Sequence, residues 1–129
     1  MALPVTAIYA GFLALWILFL LFKVVGFRRG EQVALGTGGS EQGARLIRGH
    51  ANATETVPIF LIMLGLAEGL ATPVWALHIL ALAFCIGRVA HGVHFLKERE
   101  GLALRFYGML ITLLATASLS IWLIVAGLL

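Results

Sequence analysis

From Ala7 to Phe22 the chain carries no charged side chain. With its flanks, that run reaches the ~20 residues needed to cross a bilayer. A helix apolar on every side belongs either in the core of a large protein or in a membrane. This chain has only 129 residues, 61% of them hydrophobic and 12% charged. Soluble domains carry roughly 25% charge, and a protein this small has too much surface for its volume to do without it. The sequence therefore predicts an all-α membrane protein: a four-transmembrane-helix up-down bundle forming one domain over residues 1–129, with no room for a second.

The expected helices span about 3–27, 43–70, 73–96 and 102–129. The first run could be a cleaved signal peptide, but that would need positive charge ahead of it. Here Lys23, Arg28 and Arg29 come after the run, so a retained helix is expected. A connector, roughly Arg28 to Gln42, holds Gly36, Gly38, Gly39 and Ser40, which favour turns. The second helix is polar from Arg45 to Glu55 and apolar from Val57 to Ala67. Pro58 should bend it. Thr72 is an expected N-cap for the third helix, with Pro73 at its first position. A charged loop, Lys97-Glu98-Arg99-Glu100, precedes the fourth. The single cysteine, Cys85, excludes an intrachain disulfide and reads as a small core residue.

All nine Lys and Arg residues fall on or near the first-to-second and third-to-fourth connections. The positive-inside rule then puts both charged loops in the cytoplasm and both termini outside. The basic residues do not cluster on a solvated face, so no nucleic-acid partner is expected. Nor is a metal site.

Several polar residues share helix faces. Arg45, Arg48, Asn52 and Glu55 form one stripe on the second helix. Arg88 and His91 lie one turn apart on the third, with Phe95 continuing the stripe. Arg105, Met109 and Thr112 align on the fourth. Each stripe starts at the cytoplasmic end of its helix, and together the three can build one polar pocket rich in positive charge. Arginines favour an anionic ligand, and a buried Glu55 would suit an ammonium group on that ligand. The structural alternatives are plain. Lys23, Arg28, Arg29, Lys97 and Arg99 can simply snorkel to headgroups. Glu55 with Arg48 or Arg88, and Asn52 alone, can join helices. His78 reads as a packing or interfacial residue. Gly65 and Gly69 read as a small-residue helix contact.

The run Arg45-Leu-Ile-Arg48-Gly-His50-Ala-Asn52-Ala-Thr-Glu55-Thr-Val-Pro58 resembles the signature of the MAPEG family, the membrane-associated proteins of eicosanoid and glutathione metabolism. Leu35-Gly-Thr-Gly-Gly39, Gly87-Arg88-Val-Ala-His91 and Arg105-Phe-Tyr-Gly108-Met109 resemble further family segments, those of its bacterial branch in the first case. The resemblance implies a homotrimer in a bacterial inner membrane. It implies glutathione bound between subunits near the cytoplasmic side, beside a hydrophobic small molecule or lipid. It assigns glutathione binding to Arg48, His50, Asn52, Glu55, Arg88 and His91, with Lys23 reaching a neighbour's site. It assigns thiolate stabilisation to Arg105. The implied activity is that of a glutathione-dependent transferase or peroxidase. The chain departs from some glutathione-using members, which carry Tyr where it has Thr56 and Phe95, and His91 and His94 are then the substitutes. The rival readings are a non-catalytic lipid-binding or scaffold protein of the same fold and a small transporter. A transporter would more often break helices in both halves, and only Pro58 interrupts one here.

Overall fold

The computed structural model describes residues 2–97 and 101–128. Four helices account for nearly all of them: α1 (Pro4–Gly30), α2 (Glu41–Gly69), α3 (Val74–Leu96) and α4 (Ala103–Leu128). The charged loop at 98–100, including the expected headgroup contact of Arg99, lies outside the described residues.

The helix ends follow local chemistry, with three differences from expectation: the end of α1, the start of α2 and the cap of α3. α1 opens with Pro4 in its first turn and continues to Gly30, so Arg28 and Arg29 sit in its last turn. There they oppose the negative end of the helix dipole. α2 starts earlier than expected because Ser40 caps it, its Oγ accepting from Gly43 N at 3.2 Å. Pro58 stands inside a helix that runs on unbroken to Gly69. Thr72 does not cap α3, whose N-cap is Pro73. Its hydroxyl instead accepts from Trp122 Nε1 at 2.8 Å, tying the turn between α2 and α3 to the far end of α4.

Contacts at the two ends fix an up-down order. Glu68, late in α2, reaches the first turn of α1, while Arg45, early in α2, reaches the end of α3. α2 and α3 pack on each other at the centre. α1 and α4 flank that pair and do not approach one another among the described residues.

The core joins Leu13, Phe60, Leu64, Leu77, Phe84 and Leu119, all fully buried. The Phe60 and Phe84 rings stack there with centroids 3.8 Å apart. The outside is apolar as well: Ile8, Leu15, Phe22, Leu113 and Ile124 are all exposed. Only 17% of the α1 and α4 spans is buried inside the molecule. Among the charged and polar residues, by contrast, Arg88, His91, His94 and Thr112 are buried. Such an inside-out distribution is stable only when lipid covers the outer faces. α1, α3 and α4 are each long and apolar enough to cross a membrane. α2 is equally long, but polar side chains fill its first half.

Candidate functional site

The end of the bundle that holds the 31–40 connector, here the basic end, gathers most of the polar stripes. α3 and α4 cross almost in contact there, at Gly87 and Gly108. A Cβ on Gly108 would lie 2.6 Å from His91 N and 2.9 Å from Gly87 O, so no side chain fits. This close approach brings Arg88 against α4. Its Nε donates to Thr112 Oγ1 at 3.0 Å, and the Thr112 hydroxyl donates onward to Gly108 O at 2.8 Å. Arg88 Nη1 crosses to α2 and donates to Asn52 Oδ1 at 2.6 Å and Thr56 Oγ1 at 3.0 Å. Nη2 rests 3.8 Å from Met109 Sδ. A buried guanidinium needs such partners, since an unpaired charge at this depth would be costly.

In front of this network lies an open groove of about 560 Å³ between α2 and α4. Arg48, Asn52, His91 and Arg105 line its polar end, together with Phe95. The Arg105 guanidinium sits 5.7 Å from the Phe95 ring centre, within cation–π range. Arg48 and Arg105 make no hydrogen bond or ion pair among the described residues. Leu102, Phe106, Leu110 and Leu113 form an apolar wall. That wall extends about 16 Å along α4 at the helical rise per residue.

Four of the eight expected site residues therefore meet in one cavity: Arg48, Asn52, His91 and Arg105. Arg88 stands behind them, bonded to Asn52. His50 is half-buried on α2 and does not line the groove. Lys23 lies in a different groove, between α1 and α2, with Phe19, Phe27 and Gln42. Glu55 is exposed, and it pairs with neither Arg48 nor Arg88 among the described residues. Asn52 and Thr56 hold Arg88 in its place. The helical arc explains this. At about 100° per residue, the stripe from Arg45 to Glu55 spans roughly 80° and only borders the buried face of α2. Arg45 and Asn52 fall at its inner edge, while Arg48 and Glu55 fall at its outer edge.

The Arg45 Nη2 donates to the carbonyls of His94 and Lys97, both at 2.7 Å, and so closes the end of α3. This arginine serves structure. The residues that sequence reasoning passed over are the apolar wall. They recur at i, i+4, i+8 and i+11 and so share one face. On a helix apolar all round, that stripe has no contrast to reveal it.

The model of the MAPEG family matches residues 6–125, which include every residue of the groove. The chain belongs to the MAPEG family. It is similar to a protein named inner membrane protein YecN from Escherichia coli strain K12, and to the protein of that name from the O6:H1 strain CFT073. Each is 32% identical over 129 residues, covering 96% of this chain and 98% of the relative. MAPEG membership makes the chain an integral membrane protein with a four-helix bundle, in agreement with its apolar exterior. Of the motif segments of the resemblance, the one at 35–39 lies in the connector before α2 and the other three fall on α2, on α3 and at the start of α4. Those are the three helices that build the polar network and the groove.

Proposed function

We propose that the protein is a glutathione-dependent transferase or peroxidase that acts on apolar electrophiles or lipid hydroperoxides in a bacterial inner membrane. One observation carries this reading: a single groove joins a cationic, donor-rich end to an apolar wall. Arg48, Asn52 and His91 bind the peptide. The apolar wall, open to the side, admits the second substrate. Arg105, which no acid neutralises among the described residues, faces the thiol. A free thiol has a pKa near 8.5, and its thiolate is the nucleophile. A guanidinium close by favours the charged form. The thiolate sulfur then bonds to an electrophilic carbon, and the leaving group departs with the electron pair. With a hydroperoxide, the sulfur takes the terminal oxygen and releases the alcohol, and a second glutathione yields the disulfide and water.

Glu55 supports an assembly. It sits at the midpoint of α2 and is exposed. A lipid-facing charge at the bilayer centre costs from about 2.5 kcal/mol upward, and a neighbouring subunit in a homotrimer relieves that cost. Lys23 and His50 then contribute to a neighbour's site. The positive-inside rule puts the groove on the cytoplasmic side and both termini outside.

The test is kinetic. Replacing Arg105 with Leu should cut turnover with an activated aryl chloride by roughly 100-fold, the scale of losing one charge-stabilising donor. Glutathione affinity should stay within about threefold. Equal loss of turnover and affinity would reduce Arg105 to a binding residue. Absence of any turnover in the folded wild type, with aryl chloride or hydroperoxide, would favour a lipid-binding or scaffold role.

A further inference from the structure

Asn52 is the only asparagine of the chain, and it lines the groove with its side-chain oxygen already taken. Arg88, its partner, is 2% exposed and does not itself line the groove. A guanidinium carries five donors and no acceptor. The amide atom that meets Arg88 Nη1 at 2.6 Å is therefore Oδ1 by necessity. Nδ2 is left as the amide atom available to the groove, and no described protein group accepts from it. Thr56 steadies the arrangement: its hydroxyl donates to Asn52 O at 2.9 Å and accepts from Arg88 Nη1 at 3.0 Å. The opposite face of Arg88 is anchored on α4 through Thr112.

We propose that Arg88 is a positioning residue that holds Asn52 Oδ1 so the amide presents only its N–H donors to the ligand. With Arg48 and Arg105, the polar end then offers donors, and among the described residues no carboxylate lines it. A groove of that kind selects a ligand by its carboxylate and carbonyl oxygens. Without Arg88, the amide turns freely and can present its own oxygen, which repels the same ligand atoms. The proposal rests on the glutathione reading of this groove for its ligand, but not for the amide geometry.

A single asparagine makes the geometry directly observable. Labelling with 15N-asparagine gives one side-chain amide pair in the whole protein. In detergent micelles, the wild type should show two well-separated proton resonances with slow solvent exchange, both moving on glutathione addition. Arg88→Lys keeps the charge but loses the planar fork. In that variant the pair should collapse toward the free-amide position, and glutathione affinity should fall about tenfold. Asn52→Asp keeps an acceptor for Arg88 and so retains the fold, but turns the donor into an acceptor. Its glutathione affinity should fall at least about tenfold.

An unchanged amide pair in folded Arg88→Lys overturns the proposal. Full glutathione affinity in Asn52→Asp overturns it too, and serves should Arg88→Lys not fold. A wild-type pair that depends on Arg88 yet ignores a large excess of glutathione upholds the positioning and removes glutathione as the ligand.

Discussion

The two ends of the bundle use polar groups differently. At the end opposite the groove, Glu68, Tyr9, His78, Thr72 and Trp122 all have partners. Both Glu68 carboxylate oxygens accept from the first turn of α1, from Val5 N and Thr6 N at 2.8 Å, and Thr6 Oγ1 adds a third bond at 2.7 Å. The Tyr9 hydroxyl meets His78 Nδ1 at 3.0 Å, and Trp122 is tied to Thr72. The basic end begins the same way. Arg45 closes α3, and Arg88 joins α2, α3 and α4. It then has donors to spare in Arg48, Arg105 and the Asn52 amide, all at one cavity. Polar groups that structure does not consume mark the place where a ligand can bind. The network behind them is what keeps them in register.

The largest stability effect that would break this contrast comes from Gly108→Val. The new side chain meets α3 backbone, which cannot yield as a flexible side chain would. Overpacking of this kind costs about 3 kcal/mol. Thermal unfolding in micelles should drop accordingly, and glutathione binding should go with it, because Arg88 and the groove depend on that crossing. Arg45→Met should lose about 2 kcal/mol, the worth of charge-assisted bonds to two carbonyls. Glutathione affinity, read by calorimetry, should stay within about twofold. A larger loss would move Arg45 from structure into the site.

How much of this was legible in the sequence follows from the same residues. Four apolar runs with turn-forming breaks announced four helices, because membrane spans are set by composition and length alone. The groove was half legible. Arg48, Asn52, His91 and Arg105 stand on periodic stripes, and periodicity reports which residues share a face. It does not report where that face ends. Glu55 was expected inside because it continues the Arg45 stripe, yet it falls beyond the buried arc of α2. Arg45 and Arg105 look alike in sequence, and only the packing of α2 on α3 shows that one of them is tied up in backbone bonds. Thr72 has the chemistry of an N-cap, but Trp122, 50 residues away, claims its hydroxyl. Glu68 was not singled out, since a lone acid at a helix end has no pattern until the other helix end is beside it.

Smaller effects sharpen the contrast from the opposite side. Glu68→Gln leaves one acceptor oxygen where three donors are bonded to two, and removes a charge that favours the start of α1. It should lower stability by about 1 kcal/mol. Turnover in the folded fraction should be unchanged. A proportionate fall in turnover would mean that the ends are coupled. Ala71 ends α2 with φ +56, the left-handed region that favours glycine. Ala71→Gly should therefore raise stability by about 0.5–1 kcal/mol, with activity again unchanged.

The most direct measurement is a difference ultraviolet spectrum of the purified protein titrated with glutathione near neutral pH. Thiolate and thiol differ there in absorbance. A saturable thiolate band in the wild type that vanishes in folded Arg105→Leu is the expected result. No band in folded wild-type protein, or an equal band in both proteins, would contradict a groove built to activate glutathione.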